Sequence, residues 1–134
     1  MKKLVTILVV FSLLLTSCGD SKKEEAPKTE KTSVKKKVVQ KGNATVGKIT
    51  FGSKGCAVCH HETTKIIGPP VKDIAAVYSE KNGNIMKFLK GDNDAIVDTD
   101  PTQVAIMKNN VDTMVKDISD KDLANIVAYI KSVK

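Results

Sequence analysis

The stretch GCAVCHH, Gly55–His61, places two cysteines three positions apart with a histidine directly after the second. Another histidine follows at once, and these two are the only histidines in the chain. Two thiols and an imidazole within five residues suit few kinds of chemistry. A tetrahedral zinc site would draw on Cys56, Cys59 and the histidines. However, His60 and His61 adjoin each other and Cys59, which strains the closure of a tetrahedron, and the sequence has no second Cys/His cluster to complete one. A thioredoxin-like redox pair expects a βαβ setting, and the sequence lacks a convincing alternating strand pattern.

Cys-x-x-Cys-His is instead the attachment pattern of haem c. The two thiols add across the two vinyl groups and form thioethers. A two-residue spacer lets one helical turn present both sulfurs along one edge of the porphyrin. The next residue, His60, then projects its imidazole toward the iron from below. His61 cannot reach the same iron from the opposite face, because its Cα is one residue from that of His60. It is read as a surface or locally hydrogen-bonded side chain.

Outward from this stretch, the chain of 134 residues is sized for one domain with appendages. Aromatic content is 4 % with no tryptophan, so a large cofactor would add volume to a small core. At the N-terminus, Lys2 and Lys3 precede the apolar run Leu4–Leu15, which is too short for an ordinary membrane span. It leads into LTSC, Leu15–Cys18, which resembles a bacterial lipobox. That resemblance implies a signal peptide over residues 1–17 and lipid attachment at Cys18, hence an exported, membrane-anchored lipoprotein. With Cys18 so used, Cys56 and Cys59 belong to the haem motif and no pair is left for a structural disulfide.

Residues 18–42 read as a flexible, Lys/Glu-rich tether that cannot bury enough apolar surface to order itself. Its typical end-to-end distance would be roughly 25–30 Å. The formal net charge of +7 resides mostly in these N-terminal segments. Residues 42–134 carry 12 lysines against 11 acids. A basic face for nucleic acid is therefore not expected, and no aromatic interleaving suggests one.

Residues 43–134 read as an all-α domain of about four helices, without an internal repeat. Val46, Ile49 and Phe51 recur near helical spacing. Val71, Ile74, Val77 and Tyr78 follow Pro69-Pro70 as a second helix, and Ile85, Phe88 and Leu89 suggest a third, closed by Gly91. Asp92–Pro101 reads as an acidic loop. As a calcium site it fails, because counting from Asp92 puts Val97 at the glycine position and Gln103 at the glutamate position. In the last helix Ser119 is the N-cap, Asp122 stands three residues on, and Ile118 and Leu123 form a hydrophobic staple. Leu123, Ile126, Val127, Ile130 and Val133 give it one apolar stripe.

FGSKGCAVCHHETTKIIGPPVKDIAAVY, Phe51–Tyr78, resembles the small bacterial class I c-type cytochromes. The matching features are the aromatic five residues before the first cysteine, the KGC lead-in, the GP after the haem motif and the KDIA helix. SDKDLANIVAYI, Ser119–Ile130, is similar to the same family's last helix. The resemblance implies a cytochrome c-like fold whose first and last helices cross, with Gly47 or Phe51 near Ile126, Tyr129 or Ile130. It implies that Cys56 and Cys59 hold haem c, that His60 is the proximal iron ligand and that the Pro69 carbonyl accepts the other ring N–H of His60. It also implies an electron carrier rather than an enzyme, with transient redox partners.

A methionine is the expected distal ligand. Met86 sits in a helix-like core segment. Met114 lies near the usual offset from the last helix, but Val111, Met114, Val115 and Ile118 form a stripe typical of core. Met107 opens MKNN, a polar, turn-prone stretch, and AIVDTDPTQVAIMK, Ala95–Lys108, resembles a subgroup with an aspartate–proline loop before the ligand. Asn109 stands where that subgroup usually has a proline. Met107 is favoured, with Met114 the alternative. A haem-based sensor or peroxidase-like enzyme is the competing function, and no distal histidine or arginine supports it.

Overall fold

The computed structural model describes residues 41–134. The expected signal peptide, the lipidated Cys18 and nearly all of the tether lie outside those residues. Five α-helices follow in order: α1 (Ala44–Ser53), α2 (Val71–Glu80), α3 (Ile85–Leu89), α4 (Pro101–Thr113) and α5 (Asp120–Ser132). Short 3-10 turns occur at Cys56–Val58 and Val115–Asp117. Among the described residues the only β pairing is an isolated bridge between His60 and Lys65. The domain is all-α as expected, with one helix more than the four anticipated.

That extra helix is α4. The sequence reading treated MKNN as a turn, but the helix runs through it to Thr113. The start signal is local: Asp100 Oδ1 accepts from the N–H groups of Thr102 and Gln103 at 3.0 and 3.1 Å, and Pro101 fills the first helical position. The acidic loop is therefore also a helix cap.

Helix α1 shows a second difference. Its Val46 and Ile49, taken as the inward stripe with Phe51, are 43 % and 69 % exposed. The buried face is Gly47, Thr50 and Phe51. The reason is the crossing with α5: a Cβ on Gly47 would collide with the carbonyl oxygen of Asn125 and lie 2.8 Å from Tyr129 Cβ. Absence of a side chain brings the two backbones together. The contact continues through Phe51 and Tyr129, whose rings meet edge to face with centroids 5.3 Å apart. It is closed at the other end by the Asn43 N–H, which donates to Asn125 Oδ1 at 2.8 Å. Asn125 is a buried polar side chain whose acceptor is thereby satisfied.

The N-cap of α5 and the glycine after α3 are those expected, whereas the Asn43 cap of α1 was not named from the sequence. Asn43 Oδ1 accepts from Val46 N–H, and Ser119 Oγ from Asp122 N–H at 3.2 Å. Ile118 and Leu123 are both buried, so the staple forms. Gly91, with φ of +79°, turns the chain just after α3 in a conformation that disfavours other residues. Val71, Ile85, Val111, Leu123, Ile126 and Ile130 are among the core residues that knit the helices into one unit.

Candidate functional site

The haem motif is built from backbone geometry. Gly55 adopts φ of +79° at the end of the turn leaving α1, a region glycine enters freely. The chain then forms a 3-10 turn, with Val58 N–H donating to Gly55 O at 3.1 Å and Cys59 N–H to Cys56 O at 3.2 Å. His60 N–H also donates to Cys56 O, at 3.0 Å. Both cysteines and His60 therefore lie on one tight turn, and all three line the same cleft. The thiols are free and partly buried.

Electrostatics do not activate the Cys56 thiol. A reactive Cys-x-x-Cys lowers a thiol pKa with a helix N-terminus or a nearby cation. Here burial pushes the Cys56 thiol up, and neighbouring Cys59 adds to the rise. Among the described residues no three His, Cys, Asp or Glu side chains converge as a metal cluster.

His60 is oriented by its partner. Its Nδ1 lies 2.8 Å from the Pro69 carbonyl oxygen. A carbonyl only accepts, so Nδ1 carries a proton; in a neutral ring that leaves the lone pair on Nε2, the tautomer a metal ligand requires. Gly68 makes this possible. A Cβ there would lie 2.5 Å from His60 Cε1 and 2.8 Å from Nδ1. The loop is fastened to the motif by Gly68 N–H donating to Cys59 O at 2.8 Å, and by Val71 N–H donating to His61 O at 2.9 Å. Sequence reading found Pro69 but missed the glycine before it. The GP dipeptide was noted as a family feature, but the glycine in it was given no role of its own.

His61 points its chemistry elsewhere, as expected. It is exposed, and its Nδ1 accepts from the N–H groups of Thr63 and Thr64 at 3.3 and 3.2 Å.

The cleft has a volume of about 300 Å³. It is walled mainly by apolar side chains, including Phe51, Ile74, Phe88, Leu89, Val97 and Ile126. Its outer strand of chain, Ala95–Asp98, is fastened at two points. Lys65 Nζ lies 3.3 Å from Asp98 Oδ2, and Lys81 Nζ donates to Ile96 O at 3.1 Å. The Asp100 N–H and then Lys65 hold the Asp98 carboxyl below the usual carboxylate range. A large, flat, mostly apolar group fits this space: apolar walls, two thiols at one side, and an imidazole presented with its coordinating nitrogen free.

Residues 44–134 match the family described as Cytochrome c. The chain belongs to the cytochrome c family. Over 35 residues it is also 43 % identical to cytochrome c-551 of Pseudomonas aeruginosa, a stretch covering 26 % of this chain and 34 % of the relative. The match thus spans about a third of that relative's length. Cytochrome c domains carry covalent haem c with its iron, and they transfer electrons rather than transform substrates.

The cytochrome's two candidate distal methionines both line the cleft. They sit seven residues apart on or next to α4, so they occupy similar faces two turns apart. Met107 is half-buried, in the body of the helix, and packs against the core. Met114 is the residue where α4 gives way to a 3-10 turn, and it is 52 % exposed. The core stripe expected for it is therefore broken: Val111, Val115 and Ile118 are buried while Met114 turns out beside Gly55, with Cε 3.5 Å from where a Cβ on that glycine would stand.

Proposed function

We propose that this cytochrome is a membrane-tethered, single-haem electron shuttle working outside the cytoplasmic membrane of a bacterium. Cys56 and Cys59 would hold the haem by thioethers, and His60, through Nε2, and Met107 would supply the ligands to its iron. When bound, the haem supplies a one-electron ferric–ferrous couple. The observation that carries this reading is the His60–Pro69 hydrogen bond, which occupies Nδ1 and leaves Nε2 as the ring nitrogen available to a metal, with two thiols on the same mostly apolar cleft.

The residues of the chain do the rest. Pro69 fixes the tautomer and plane of the proximal ring and raises its basicity. The apolar walls exclude water, which limits reorganisation when the charge on the iron changes. A thioether ligand favours the reduced state and a higher potential. Met107 is preferred over Met114 because it lies in the body of a helix packed on the core, where a ligand is held in place.

The anchoring half of the proposal rests on LTSC, with acylation at Cys18 after removal of residues 1–17 and a tether over residues 18–42. More than one acyl chain holds a protein firmly where a single chain is marginal. A tether of this kind raises the effective concentration of partners within its reach. Encounters with those partners are small and transient, as redox contacts generally are.

Visible spectroscopy tests the core of the reading. The expected result is a low-spin haem with the methionine–iron charge-transfer band and a ferrous form indifferent to carbon monoxide. A high-spin or carbon-monoxide-binding haem would favour a sensor or peroxidase-like role instead. Met107→Ala should abolish the band and Met114→Ala should keep it; the reverse pattern would move the ligand to Met114. Fatty-acid labelling that survives Cys18→Ser would refute the anchor.

A further inference from the structure

Helix α1 has apolar side chains on two sides, and the fold covers only one of them. Gly47, Thr50 and Phe51 are buried on the side that meets α5. The outward arc is Thr45, Val46, Ile49, Gly52 and Ser53, all exposed and none charged. Ile49 is 69 % exposed and Val46 43 %, and a spacing of three residues sets them side by side on the helix. Further along the arc, a Cβ on Gly52 would meet no atom within 4 Å.

Single apolar side chains on a surface are ordinary. The electrostatic setting of these two is not. From Lys31 to His61 the sequence has seven lysines (Lys31, three at 35–37, Lys41, Lys48 and Lys54) and no acid. Residues 62–134, by contrast, carry ten lysines against eleven acids. The acids bounding the basic stretch are Glu30 and Glu62, and Glu62 is already paired with Lys48 at 3.0 Å. An apolar helix face bordered by lysines is the pattern of a segment that lies in the plane of an anionic bilayer surface. A second copy would set lysines against lysines, which disfavours self-docking. We propose that the outward face of α1 docks on an anionic lipid surface, with Val46 and Ile49 entering the headgroup layer and the neighbouring lysines meeting its phosphates. The proposal rests on the membrane-anchored reading above, since the segment that begins at Cys18 leads directly into this helix. Docking would hold the haem domain at the bilayer and confine its search for membrane-bound redox partners.

The test uses the haem-loaded, acylated protein in vesicles of phosphatidylcholine alone, and in vesicles with about one-third phosphatidylglycerol. Lysines are briefly acetylated and the products read by mass spectrometry. Lys48 and Lys108 make a matched pair: each sits in a surface ion pair, with Glu62 and Asp112, and their side chains are 62 % and 71 % exposed. Lys48 should label several-fold more slowly on the anionic vesicles than on the neutral ones, while Lys108 should not change. Ile49→Gln removes apolar contact without adding charge at an exposed position, and it should abolish the slowing. Slowing that survives Ile49→Gln, or that is equal at Lys108, would overturn the inference in favour of lysine attraction alone. Slowing that appears without vesicles and grows with protein concentration would assign the face to a second copy, which also overturns it. The chain from Gly19 onward keeps every described residue and has no acyl chain. Its flotation with the anionic vesicles should weaken roughly tenfold with Ile49→Gln, and flotation indifferent to that change refutes the docking. Failure of Cys18 to take up fatty acid would refute the anchor alone, with this flotation still deciding the docking.

Discussion

Replacing Gly68 with alanine tests whether the haem loop is built around the proximal imidazole. The new Cβ would start 2.5 Å from His60 Cε1 and 2.8 Å from Nδ1, where ordinary carbon contacts begin near 3.4 Å. The ring must therefore retreat by roughly 1 Å. The Nδ1–Pro69 hydrogen bond, 2.8 Å long, would then stretch past the range in which such bonds persist. Overpacking of this kind costs about 1–3 kcal/mol, and a lost hydrogen bond adds about 1 kcal/mol. For a domain of this size about 2–4 kcal/mol lowers the melting temperature by roughly 10–30 °C. The functional sign follows from the same bond: without it His60 is a weaker donor, the ferric state is less stabilised, and the potential rises. Thermal unfolding of the haem-loaded variant, followed in the Soret band, and a redox titration measure both effects. A melting temperature within 2 °C of wild type ("~2 °C" being scarcely half a kcal/mol here), with an unchanged potential, would refute the reasoning.

The glycines of α1 should behave oppositely: Gly47→Ala forces α1 and α5 apart and destabilises by about 1–3 kcal/mol, whereas Gly52→Ala meets open space and should stabilise by about 0.5–1 kcal/mol, both read from denaturant midpoints. Asn125→Leu leaves the Asn43 N–H without its acceptor and should cost about 1–3 kcal/mol in the same assay. Asp98 has a folded pKa below the unfolded value of about 3.9, so its contribution is present above that pH and is lost as pH falls through the folded value. Asp98→Asn should accordingly melt below wild type at neutral pH, and the two curves should converge in acid.

Much of the site was legible because its chemistry is local. Cys56, Cys59 and His60 are fixed by spacing within one turn, whereas the role of Pro69 came from the family resemblance. The α5 cap and staple were legible for the same reason: Ile118, Ser119, Asp122 and Leu123 act on one another across a single turn. Helix α4 was equally local, since Asp100-Pro101 is a cap followed by a first-turn proline. It was missed because the polar MKNN segment was weighed above its start signal.

What no local pattern contained was the choice of face. By hydrophobicity, Val46 and Ile49 should point inward and Gly47 should not, yet the order is reversed. Backbone approach to Asn125 and Tyr129, 78 and more residues away in the chain, decides it. Met114 fits a core stripe by spacing and is exposed, because the helix ends just before it and the periodicity no longer applies. The sequence by itself determined the cofactor chemistry and the all-α class, since covalent attachment and helix capping are short-range. Only the tertiary structure decided which glycines are obligatory and which methionine is packed into the core, since each depends on atoms that meet only after the helices cross.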